Sequence, residues 1–225
     1  MPESSTRPLQ QHGILVSILL LSTALPGCTT YSINQSLHTE NSGIRADGAV
    51  WVRGPWDKIN SSSNVDEVID QLCPAIMKQP RAQWREYGQE YCGLIYSLGK
   101  GIYYASMPSS LGRPQQPGKW QRKSCFAPHL LVDPRGRPSI IADYHGHPWP
   151  FSPMSPEDIQ KDNQRWMIRI QFDTTCNIQK LVPYAFSTRP GELYERRGKS
   201  WKLIGYILPE DKAFGRLTPA EDIRH

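Results

Sequence analysis

The 225-residue chain has only five cysteines, and none stands in a Cys-x-x-Cys pair or any other cluster with metal-ligand spacing. That argues against a zinc site built from thiolates. It also lacks an uninterrupted apolar run of the roughly 20 residues that a membrane-spanning helix needs. It has no block of like charges either. The net charge of +5 comes from basic residues such as Arg113, Lys119, Arg122, Lys123, Arg135, Arg137, Arg196 and Arg197, scattered among proline, glycine and aromatics. They compose no nucleic-acid motif, so the balance points to a solvated face or to affinity for anionic envelope polymers, and no nucleic-acid partner is expected.

The apolar run near the start, Gly13 to Leu25, is about 13 residues long, the length of a signal-peptide core. It ends in Leu25-Pro26-Gly27-Cys28, which resembles the lipobox of bacterial lipoproteins. That resemblance implies a signal peptide over 1–27, lipidation at Cys28, and a cell-envelope location with membrane contact through the anchor. Residues 28–63 are polar and aperiodic and read as a flexible tether. One domain is expected over 64–208, with a C-terminal tail over 209–225. An even set of four further cysteines, Cys73, Cys92, Cys125 and Cys176, suggests two disulfides in an exported chain. Three pairings are possible. Cys73 with Cys92 and Cys125 with Cys176 is the expected one, because the first bridge would fix a helix beside the strand that follows it.

Apolar positions at 65, 68, 69, 72, 73 and 76 form a helical stripe, with Asn64 as N-cap. Glu90 to Tyr104 reads as two strands around the glycines at 99 and 101. Two further strands are expected to form a hairpin around Asp133-Pro134-Arg135-Gly136, the second of them ending in Asp143-Tyr144-His145-Gly146-His147. A short helix to about Asn163, a strand over 166–172, and strands over 182–186, 191–196 and 201–208 complete a mixed α/β fold.

The chemistry concentrates between His145 and Asp158. The side-chain period of a strand is two, so His145 and His147 point the same way and can share one cation. Ser155 before Pro156 is a helix N-cap with proline at the first helical position, which puts Asp158 in the first turn. Two imidazoles and one carboxylate make a three-ligand zinc site with an open fourth position, the arrangement of a catalytic zinc. Asp143, two residues before His145, is either a partner that orients an imidazole or an ordinary strand charge. His129, inside an apolar run, reads as structural. Trp149 can line a substrate groove or simply pack.

The spacing His-x-His-x7-Ser-x2-Asp resembles the metal signature of the JAMM/MPN (JAB-domain) zinc metallopeptidases. In that family a glutamate lies well upstream, often in a Glu-x-Cys-Gly setting, and Glu90-Tyr91-Cys92-Gly93 stands about 55 residues before His145. The resemblance covers roughly Val65 to Met167. It implies one Zn2+ held by His145, His147 and Asp158, with Glu90 as general acid/base and Ser155 stabilising the oxyanion. The implied fold is a curved mixed sheet flanked by helices, of cytidine-deaminase-like architecture. The implied function is hydrolysis of a peptide or isopeptide bond in a peptide or protein substrate of the envelope. The alternative is a noncatalytic MPN-like module acting as a binding scaffold.

Overall fold

Asn64 caps the first helix as its sequence demands: its side-chain oxygen accepts from the Asp66 N–H at 3.0 Å. Helix α1 (Val65–Ile76) then buries Val68, Ile69, Leu72, Cys73 and Ile76 along one stripe. The computed structural model describes residues 39–112 and 124–223. Cys28 and the segment 1–38 lie outside them, and among the described residues no helix is long and apolar enough to cross a membrane.

The stripe of α1 packs on an eight-stranded sheet built from β3 (Tyr91–Ser97), β4 (Tyr103–Ala105), β6 (Ser139–Gly146), β7 (Ile168–Phe172), β8 (Ile178–Val182), β9 (Gly191–Arg197), β10 (Ser200–Ile207) and β11 (Thr218–Pro219). Its order is β11-β10-β9-β8-β7-β6-β3-β4. Neighbours are antiparallel except β6 and β7, which run parallel. A parallel pair cannot be closed by a tight turn and needs a long crossover. The chain between Gly146 and Ile168 is that crossover, and it carries α2 (Pro156–Ile159).

Alternation decides what each face of the sheet meets. Ala142, Tyr144, Ile170 and Phe172 join the α1 core, whereas Asp143, His145, Arg169 and Gln171 point to the other face, where the crossover lies. All four of these polar residues are buried. At β6 and β7 one face of the sheet therefore builds the α1 core and the other a polar site, while farther along that second face Leu181 and Leu193 pack with Met154 and Ile159 in a second apolar cluster.

Several expectations need correction. The fold is mixed α/β, but strands dominate it in two sheets, and its only α-helices among the described residues are α1 and the four-residue α2. The helical cover of the sheet is slight, α1 against one face and the short α2 in the crossover on the other. Of the expected tether, residues 39–63 are folded: β1 (Ser42–Ile44) and β2 (Val50–Arg53) form a small sheet with β5 (Leu130–Val132), and Val52 and Trp56 are fully buried. The polar text hid a short alternating strand. The expected tail is folded as well, since Lys212 is buried and donates to the carbonyls of Tyr184, Ser187 and Arg189, and β11 extends the large sheet.

The hairpin around Asp133 does not form. β5 runs parallel to β2, because β3 and β7 already occupy both edges of β6. β8 lies a few residues earlier than expected, ending before Pro183, which has no N–H for the ladder.

The disulfides are Cys73–Cys176 and Cys92–Cys125, not Cys73–Cys92 and Cys125–Cys176. Tyr91 and Ile95 of β3 face the α1 core, so the period of two turns Cys92 to the opposite face, out of reach of Cys73. Cys73 instead meets the turn after β7, and Cys92 meets the segment leading into β5.

Candidate metal centre

His145 is the penultimate residue of β6, on its polar face, and His147 follows one residue past the strand, its N–H still donating to Phe172 O at 2.8 Å. The residue between them has to be glycine. A Cβ on Gly146 would sit 2.9 Å from the Phe172 ring and 3.2 Å from Ile76 Cγ2, so any side chain there would push on the core. The His147 Nδ1 and the Ser152 hydroxyl are 2.9 Å apart. In the tautomer that donates this proton to Ser152, Nε2 presents its lone pair to the site.

Ser155 and Asp158 close a capping box at the start of α2. The Ser155 hydroxyl accepts from Asp158 N at 3.2 Å, and Asp158 Oδ2 accepts from Ser155 N at 2.8 Å and from Ser155 Oγ at 2.7 Å. This fixes the carboxylate in front of the two rings. His145 Nε2 lies 3.4 Å from Asp158 Oδ1, and His147 Nε2 lies 3.5 Å from Asp158 Oδ2. One donor atom from each of the three residues lies within 4.8 Å of the others.

The donor chemistry fits a cation on two grounds. His145 Nε2 is fully buried and makes no hydrogen bond, a condition that is rare in folded proteins and that a metal ion among the three donors relieves. The protonation states are also those of ligands. Burial pushes the His145 imidazole down, toward its neutral form. Burial works against ionisation of Asp158 too, but the two histidines outweigh it and hold the carboxyl well below the usual range. His147 is the exception. Burial alone would lower it, yet the Asp158 carboxylate 3.5 Å away, joined by the charge of Glu90, raises its affinity for a proton.

Glu90 is buried immediately before β3, and its charge reaches His147. Cys92 pairs with His145 across the β3–β6 ladder, so the Glu90-x-Cys92 segment and the two histidines meet at one end of the sheet. All five expected site residues line one cavity of about 840 Å3, together with Trp149. That is within the usual size range of small-molecule sites. His129, expected to be structural, is half-buried and lines the same cavity without joining the donor set.

The hydrogen bonds of the Asp143 carboxylate go to Arg169 and not to an imidazole, the Arg169 Nε and Nη2 donating to Oδ2 at 3.0 and 2.7 Å. Arg169, Gln171 and Ser152 are residues that sequence reasoning missed. The available signal was the alternation of Arg169, Gln171 and Asp173 with apolar neighbours beside the histidine motif, since a polar strand face has reason to be buried only when something polar covers it.

No family model matches the chain, and no curated protein or solved structure matches it.

Proposed function

We propose that this protein is a zinc-dependent metallopeptidase of JAMM type, hydrolysing a peptide or isopeptide bond in the bacterial envelope. The observation that carries the reading is the convergence of His145, His147 and Asp158 within 4.8 Å, with a buried imidazole nitrogen that lacks any hydrogen bond. His145, His147 and Asp158 would hold the ion. When bound, zinc supplies a Lewis acid that makes water a nucleophile near neutral pH.

The remaining work falls to the chain. Glu90, beside His147, takes the proton of the attacking water on its carboxylate and returns it to the leaving amine. Ser155 donates its hydroxyl proton to the developing oxyanion, which requires that it turn away from Asp158 Oδ2. Trp149 and the other cavity walls hold the substrate backbone. The two disulfides favour an oxidising compartment, and the Cys28 lipobox-like sequence would tether the domain to the membrane.

The test is metal analysis beside a peptidase assay on the purified chain. The parent should carry one zinc per chain, and His147→Ala and Asp158→Ala should lose both metal and activity. A parent that takes up no more zinc than His147→Ala overturns the metal centre. A parent that binds zinc at these residues yet cleaves no peptide overturns the peptidase reading alone.

A further inference from the structure

Behind the donor set lies a second layer of side chains, all bonded to the main chain of the crossover. Gln171 Nε2 donates to Ser152 O at 2.7 Å, and Gln179 Oε1 accepts from Met154 N at 2.8 Å. Arg169 goes further. Besides its two bonds to Asp143, Nη1 donates to the carbonyl of Asp158 itself at 3.0 Å and Nη2 to the carbonyl of Asn163 at 2.8 Å. Arg169 is buried, its side chain 7% exposed, and the carboxylate it grips belongs to the residue two before His145 on the same face of β6. One side chain thus joins the strand that carries His145 to the segment that carries Asp158.

That segment is held within itself by the capping box and by Gln164, whose Nε2 donates to the carbonyls of Asp158 at 2.6 Å and Gln160 at 2.9 Å, and Ile159 is buried in an apolar cluster with Leu181 and Leu193. α2 is four residues long, far below the length at which a helix is stable alone, and the three-residue 3-10 turn Lys161–Asn163 follows it. The bonds within the segment fix its shape but not its distance from β6, which Arg169 spans by holding Asp143 on one side and the Asp158 and Asn163 carbonyls on the other. We propose that Arg169 is the positioning residue of the metal centre, its planar fork setting the distance between His145 and Asp158 that a single cation requires. The inference rests on the metal reading above. Lysine cannot replace it, because a single ammonium cannot serve the Asp143 carboxylate and two carbonyls with the fixed geometry of a guanidinium.

The experiment measures zinc affinity by chelator competition, together with the melting temperature of the zinc-free protein, on the full chain. Arg169→Lys keeps the charge. The double variant Asp143→Leu/Arg169→Met removes both charges and leaves no bare buried ion. Arg196→Met is the structural control, since Arg196 is tied equally closely to Asp66 and Asp70 of α1, away from the site. Arg169→Lys and the double variant should lose zinc affinity about 10- to 100-fold, as loss of groups that orient metal ligands does, whereas Arg196→Met should alter melting alone. Parent-like zinc affinity in Arg169→Lys, or an equal loss in Arg196→Met, overturns the positioning role while leaving the metal centre standing. A parent that binds zinc no better than His147→Ala overturns the centre, and the role of Arg169 with it.

Discussion

Cys92 of β3 stands opposite His145 of β6 in the antiparallel ladder, and this register brings Glu90, two residues earlier, within electrostatic reach of His147. Glu90 is nevertheless outside the group of three close donors. Metal binding and catalysis should therefore separate at this residue. Glu90→Gln keeps the shape but cannot accept a proton, so it is expected to retain zinc while losing hydrolysis by about 100-fold or more. Zinc content and turnover measured on the same preparation check this. Full activity in the glutamine variant would remove Glu90 from the mechanism.

Ser155 has two duties that different substitutions should divide. Its hydroxyl is half of the capping box that fixes Asp158, and the proposed reaction also needs it as a donor to the oxyanion. Ser155→Ala removes both, with an expected loss of about 1 kcal/mol in stability and about 100-fold in rate. Asparagine caps helices as well as serine does. Ser155→Asn should therefore recover the melting temperature and zinc content but not the rate. If asparagine also recovers the rate, the oxyanion role falls and capping alone remains.

What could be read from the sequence was local. The α1 stripe and its Asn64 cap, the shared side of His145 and His147, and the placing of Asp158 one turn after a Ser-Pro start all depend on residues within a few positions of each other. What could not be read was pairing at a distance. β5 turns from β6 to β2 because of competition for the edges of β6, a matter settled by β3 and β7. The strand at Val50–Arg53 is held by pairing with β1 and with the distant β5, which buries Val50 and Val52, and nothing in its own polar surroundings announces that. Arg169 likewise has no meaning as a site residue until the crossover is folded over it.

The disulfide pairing follows from which face of β3 Cys92 occupies. Peptide mapping of the unreduced protein should find Cys73 joined to Cys176 and Cys92 joined to Cys125. The first bridge closes a separation of 103 residues and the second one of 33. By chain entropy, the double alanine variant of the first pair should lose about 4–5 kcal/mol and that of the second about 3–4 kcal/mol. Denaturant unfolding of the two variants checks the order. A map that joins Cys73 to Cys92 would mean that β3 presents its other face to α1.

Protons and zinc should compete most visibly at His147. In the zinc-free protein its proton affinity is raised above the ordinary imidazole value of 6.5, while Asp158 is held below the ordinary carboxyl value of 3.8. The sign of each contribution follows from linkage. The raised imidazole stabilises the fold fully below pH 6.5, and this is lost as pH climbs through the raised value. The depressed carboxyl stabilises the fold above pH 3.8 and is lost as pH falls through its lowered value. Metal binding must displace the His147 proton, so zinc affinity should keep rising with pH beyond 6.5 instead of levelling there. Over the same range the melting temperature of the zinc-free protein should fall, and Asp158→Asn should flatten that fall, because the amide offers the imidazolium no charge to pair with. Chelator competition and thermal melts across about pH 5 to 8.5 measure both slopes. A zinc affinity that is already flat at pH 6.5 would mean that His147 gives up its proton as an ordinary imidazole does, without the hold of Asp158.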